Sequence, residues 1–237
     1  MKLGNIACIG VKTTDLQSSS SFYEKLGFKR VDADNQSILF SEGMLLLLLK
    51  ASGESGSELT YFTEDLDGRL KHLKALKIAF TRKEPNEVSF TDPSGLSVRV
   101  IQADTSKMET PQGQSWSKCG RFYEVSIETE SVDSSIEFWN KLGFEVTCRE
   151  PPTARWATLG DGGIKLGLYE KGTCPHKFKN PSLTYFEPDM AERIEQLKSD
   201  GVDFIEEMRN AEGKVNNAIA EAPDGQYFFL FFYDSEM

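Results

Sequence analysis

Few side chains in this chain are equipped for chemistry. The four cysteines, Cys8, Cys119, Cys148 and Cys174, are scattered, with no Cys-x-x-Cys spacing, and there are two histidines, His72 and His176. A zinc framework needs clustered thiolates and imidazoles, and a disulfide scaffold needs a dense cysteine pattern, so neither applies. A nucleophilic thiol needs a base beside it. No motif places one near Cys8, which reads as a small buried thiol. His72 lies between Leu70 and Leu73 in a helical pattern and reads as a boundary side chain. His176, in Gly172-Thr173-Cys174-Pro175-His176, is either solvated or folded over a cleft as a lid or lone ligand. The richer chemistry is aromatic. Tyr227, Phe229 and Phe231 alternate, so a strand would put all three on one face. Such a face either fills a sheet core or offers a surface to a flat or cationic organic ligand.

Composition narrows the partners. A net charge of −10 argues against nucleic acid, whose phosphates call for clustered Lys and Arg. Residues 1–10 lack the basic and apolar regions of a signal peptide. The longest apolar run, residues 45–49, is far too short to cross a bilayer and suits a strand buried on both faces. With its scattered cysteines the chain is expected in a reducing cytoplasm, away from membranes and without a cofactor.

The elements that must position these residues come from a repeat. Phe22-Tyr23-Glu24-Lys25-Leu26-Gly27-Phe28 returns as Phe138-Trp139-Asn140-Lys141-Leu142-Gly143-Phe144, a period of 116 residues from Leu26 to Leu142. Both copies read as the last turns of an amphipathic helix, stopped by a glycine that tolerates the left-handed region. In the first copy Asp15 is the expected N-cap, Leu16, Phe22, Tyr23 and Leu26 the buried face, and residues 18–21 the watery side. Strand signals follow at 28–33, 37–41 and 44–50.

A second offset, 50 residues from Leu16 to Leu66, divides each half again. A strand at 59–63 precedes a helix capped by Asp65 with Leu66, Leu70, Leu73 and Leu76 at helical spacing. Strands are then expected at 78–81, 87–91 and 96–102, the last two joined by the turn Asp92-Pro93-Ser94-Gly95. Residues 104–117 have no periodicity and read as a linker. The second half repeats the order, with strands at 121–129, 145–149, 155–159, 163–169, 183–187, 204–208, 217–222 and 226–233. Its helices begin near Ser131 and Asp189, and its last turn is Pro223-Asp224-Gly225. The expectation is an α+β chain of four βαβββ modules, with domains at 1–103 and 118–237 around the linker.

Four such modules, with the Leu-Gly-Phe helix stop and a Pro-x-Gly turn before the last strand, resemble the vicinal oxygen chelate superfamily. That group includes glyoxalase I, bleomycin-resistance proteins and extradiol dioxygenases. The resemblance covers the chain outside the linker. It implies two curled mixed-sheet domains, each with a cleft that holds a divalent metal or an apolar ligand. Fold alone does not choose between enzyme and binder.

The resemblance also implies where metal donors would stand: on the first strand of each module, seven residues before the helix cap, and on the last strand. Those places hold Cys8, Glu58 and Arg99 in the first half, and Glu124, Ser182 and Phe229 in the second. A guanidinium beside a metal opposes it by charge, and divalent ions want several oxygen or nitrogen donors. No metal site is expected. Arg99 instead replaces the metal electrostatically by pairing with Glu58, or both side chains reach solvent at the mouth. In the second half Tyr227, Phe229 and Phe231, with Glu124, Ser182 and the neighbours Arg155, Trp156 and Lys165, make an aromatic pocket with polar anchors, or a filled core.

The function that follows is metal-independent binding of a small organic molecule, in the manner of bleomycin-resistance proteins. The alternatives are a metal-dependent lyase, isomerase or dioxygenase, with Glu58 and Glu124 from exchanged modules and Cys8 or His176 assisting, and a degenerate structural or regulatory module.

Overall fold

Residues 2–82 and 84–233 are described by a computed structural model. The first repeat contains β1 (Ile6–Thr13), α1 (Leu16–Lys25), β2 (Lys29–Ala33), β3 (Ser37–Ser41) and β4 (Leu46–Ala51). The second contains β5 (Gly56–Thr63), α2 (Leu66–Ala75), β6 (Glu87–Thr91) and β7 (Ser97–Gln102). The third contains β8 (Arg121–Thr129), α3 (Val132–Lys141), β9 (Glu145–Cys148), β10 (Trp156–Gly160) and β11 (Lys165–Glu170). The fourth contains β12 (Ser182–Glu187), α4 (Met190–Ser199), β13 (Phe204–Arg209), β14 (Val215–Glu221) and β15 (Tyr227–Phe232).

These strands form two mixed sheets of α+β type, ordered β2-β3-β4-β1-β5-β7-β6 and β13-β14-β15-β12-β8-β11-β10-β9. The hairpins are antiparallel, while the strand before the helix runs parallel to the last strand in β5 with β7, β8 with β11 and β12 with β15. No helix among the described residues is long and apolar enough to cross a membrane.

The chain forms two compact units. The first takes residues up to Ile9, Glu58–Thr110 and Val125–Pro175, and the second takes Gly10–Ser57, Pro111–Glu124 and the stretch from His176 onward. In the first unit Trp139 of α3 is fully buried and meets Phe144 edge-on at 4.9 Å between ring centres. In the second, Tyr23, Phe28, Phe40 and Phe228 pack with ring centres 5.6–6.2 Å apart. Aromatic contacts of this kind add to their burial energy because ring edges are positive and faces negative.

Local chemistry accounts for the helix ends. Asp15 accepts the Ser18 amide at 3.0 Å, Asp65 accepts the Gly68 amide at 2.9 Å, and Ser131 accepts the Ser134 amide at 3.3 Å. Asp189 does not cap α4 with its side chain, because Arg193 holds its carboxylate at 2.7 Å. Gly27, Gly143 and Gly201 end their helices at φ +87°, +91° and +76°, but the matching place after α2 is Lys77, at φ +57°.

Two expectations are corrected. Ser19 and Ser20 are buried, not turned to water: Ser19 Oγ lies 2.8 Å from Thr13 Oγ1, and Ser20 Oγ accepts from Arg30 at 2.7 Å. Small hydroxyls can face the sheet when a partner satisfies them. Residues 78–81 do not form a strand. Only Thr81 pairs, with Ser89, because the short stretch between the helix stop and the turn at Pro85 allows a single bridge. Residues 104–117 contain a 3-10 turn, Thr105–Lys107, and the amides of Gln112 and Trp116 donate to the carbonyls of Gly43 and Glu42.

Candidate functional site

In the first unit the parallel pairing of β5 with β7 sets Thr60 beside Arg99, and the antiparallel pairing of β6 with β7 sets Ser89 on its other side. Period-two alternation brings Glu58 to the face of Thr60, and Glu87 to the face of Ser89. Arg99 Nε lies 2.7 Å from Glu58 Oε1, with the two side chains only 11% and 7% exposed. Arg99 Nη1 lies 3.5 Å from Glu87 Oε2. The expected Glu58–Arg99 pair is therefore present and does not open to solvent. Sequence reasoning missed Glu87 as its second carboxylate, although Glu87 stands two residues from Ser89 on the neighbouring strand. Thr60 is fully buried on this face and its hydroxyl finds no partner among the described residues. Cys8 is a fully buried thiol outside any disulfide.

This arrangement does not suit a metal. The guanidinium occupies the carboxylate that would bind one and brings a like charge to the spot. Among the described residues no three His, Cys, Asp or Glu side chains converge to hold an ion. In the second unit, Ser182 Oγ donates to the Lys179 carbonyl at 2.7 Å, Glu124 is fully buried, and Phe229 presents only a ring.

The aromatic face expected on the last strand is real and larger than the sequence suggested. On β15, Phe229 and Phe231 are stacked, 5.4 Å apart with 24° between their planes. Register pairs Phe231 with Phe186 on β12, and the two rings lie 6.2 Å apart. Phe178 meets Phe229 edge-on at 5.3 Å. Lys179 Nζ stands 5.6 Å above the Tyr227 ring. His176 is no solvated loop residue: its Nδ1 is 2.8 Å from Glu206 Oε1, and its ring is 5.7 Å from Phe231. Glu206 also accepts the Lys177 amide at 3.1 Å. That amide, followed by the contact with His176, holds the Glu206 carboxyl below the usual carboxylate range. Phe178, Phe186 and Glu206 were missed. Phe186 had a signal, since it sits at period two from Thr184 and Ser182.

Arg155, Trp156 and Lys165 lie in the first unit and do not cluster. Arg155 is held by Glu170, with Nη2 to Oε1 at 2.8 Å. Trp156 is opposite Tyr169 and Lys165 opposite Gly160, at the two ends of the β10–β11 pair. Antiparallel pairing places the start of one strand beside the end of the next, so Trp156 and Lys165, each the first residue of its strand, stand apart.

No family model matches this sequence, and no curated protein matches it. Solved structures do. A catechol 2,3-dioxygenase is 16% identical with a TM-score of 0.59, over 99% of this chain and 94% of that one. The homoprotocatechuate 2,3-dioxygenase of Arthrobacter globiformis is 15% identical with a TM-score of 0.66, over 98% and 80%. An extradiol ring-cleaving dioxygenase from B. fuscum is 17% identical with a TM-score of 0.64, over 99% and 72%. The chain thus shares the fold of these extradiol dioxygenases. At this level of identity the likeness concerns fold.

Proposed function

We propose that the protein binds a small organic molecule without a metal, on the aromatic face of the second unit. The observation that carries this reading is the row of rings that runs from buried Phe229 to the partly exposed Phe231 and Phe186. Continuous aromatic surface of this kind favours flat or cationic ligands, which gain area burial and ring-face attraction together. The Glu58–Arg99 pair supports the metal-independent half of the reading, because it occupies the donors a metal would need.

The test joins metal analysis to ligand titration. The purified protein, dialysed without chelator, should carry no stoichiometric Zn, Mn, Fe or Ni. Titration with 2-naphthol and with N-methylquinolinium should show saturable binding that falls at least tenfold in Phe231→Leu. Bound metal at one equivalent, with turnover stopped by chelator, would replace this reading with the metalloenzyme. Absence of binding to either probe would favour rings that serve only as core.

A further inference from the structure

We propose that the outer end of this aromatic face receives a methylated ammonium group, an inference that rests on the binding reading and gives it a ligand class. Three adjacent strands of the second unit contribute. Phe186 on the central strand β12 is flanked by Tyr123 of β8 on one side, and by Phe231 and Tyr233 of the β15 segment on the other. The Tyr123 and Phe186 rings are 5.1 Å apart and nearly perpendicular, at 84°. Tyr233 stands 6.1 Å from Phe186 at 63°, and Phe231 stands 6.2 Å away at 50°.

Phe186 thus stands in contact with inclined rings on both sides, and together they make one aromatic platform across three strands. Each ring face carries partial negative charge, and a cation without N–H donors is held by faces alone. None of the four rings is buried, and Tyr233 is 42% exposed, so this end is open to a ligand.

Two further observations point to a cation. The chain already places an ammonium over this row, Lys179 above Tyr227. The ammonium of Lys179 is itself matched by a carboxylate, 3.8 Å from Glu221, and His176 Nδ1 lies 2.8 Å from Glu206 Oε1. A cationic guest therefore meets a face whose own charges are balanced, on a chain of net charge −10 that attracts it from solution.

The experiment compares choline with 3,3-dimethyl-1-butanol, its uncharged isostere, by NMR titration of the full chain. Choline should bind at least tenfold more tightly than the alcohol. Tyr233→Leu, an exposed position whose fold is checked by an unchanged melting temperature, should weaken choline roughly three- to thirtyfold, the range for one ring. Phe186→Leu should weaken it similarly. Equal binding of the alcohol would overturn the cation assignment while leaving the aromatic binder standing. Choline affinity unchanged in both variants would overturn the location. Failure of choline to bind, with 2-naphthol still bound, would sink the ligand class alone, and failure of both would sink the binding reading as well.

Discussion

Tyr23 Oη donates to both carboxylate oxygens of Asp224, at 3.1 and 3.0 Å. Trp139 makes the equivalent contact in the other unit, its Nε1 donating to Asp92 Oδ2 at 3.2 Å. In both cases the second aromatic of the repeated helix motif reaches the aspartate of a turn in a different repeat. That aspartate also builds its own turn: Asp92 accepts the amides of Ser94 and Leu96, and Asp224 accepts that of Gln226. Burial pushes both carboxyls above their usual range. Tyr61 repeats the device on Asp161, at 3.0 Å. The fourth member breaks it. Tyr185 is fully buried with a hydroxyl that has no partner among the described residues, and Glu42, in the turn after β3, is taken instead by Ser115, Ser117 and the Met44 amide.

Two tyrosines with unlike partners should answer the same substitution differently. Tyr23→Phe is expected to cost about 1–3 kcal/mol, the range for removing a buried donor from a carboxylate. Tyr185→Phe should leave stability unchanged or raise it, since its hydroxyl is desolvated without return. Urea unfolding of both variants checks this, and equal losses would show that Tyr185 has an unseen partner.

The Glu58–Arg99 pair should behave as a buried unit. Glu58→Ala is expected to destabilise by roughly 3 kcal/mol, held at the low end of the range for a broken pair because Glu87 still faces the guanidinium. Adding Arg99→Leu should recover part of the loss. A double-mutant cycle measures the coupling, and strict additivity would mean the pair contributes nothing.

Glu42 makes stability depend on pH. Burial pushes its carboxyl up to about 7, against an ordinary value of 4.5, and only partly do Ser115 and the Met44 amide oppose it. The folded state then holds the proton more tightly than the unfolded one. The stabilisation is full below about pH 4.5 and lost as pH rises through about 7. It is on the order of 3 kcal/mol across that window. Glu42→Gln should flatten the change in urea midpoint between about pH 4 and pH 8, a span that brackets the titration. An identical slope in both proteins would reject Glu42 as its source.

Lys77 sits where three of the four helix stops use glycine. Its φ of +57° crowds the Cβ against the backbone. Lys77→Gly should therefore stabilise by roughly 0.5–1 kcal/mol, the gain being reduced by the extra freedom glycine brings to the unfolded chain. Thermal unfolding would show a higher midpoint, and a lower one would mean the lysine side chain makes contacts worth more than the strain.

Much of the fold was legible because it rests on local rules. Asp15, Asp65 and Ser131 cap helices through amides three residues away, and Gly27, Gly143 and Gly201 stop them through their own φ. The alternation of Tyr227, Phe229 and Phe231 likewise needed only the strand period. Ser19 and Ser20 were misplaced because hydropathy ranks serine as polar and ignores the partner that satisfies it. The strand at 78–81 failed because a strand needs a neighbour in register, and only Thr81 has one.

By itself the sequence determined the four repeats, the helix ends, the turn aspartates and the ring row of the last strand. The repeats follow from residue identity at fixed offsets, and the rest from backbone sterics or side-chain alternation within a few residues. Tertiary structure alone decided that Tyr23 and Trp139 meet aspartates of other repeats, and that Glu87 joins the Glu58–Arg99 pair. It also decided that Phe186 and Tyr123 extend the aromatic face across three strands. Those partners are far apart along the chain, and only strand order and register bring their side chains within a few ångströms.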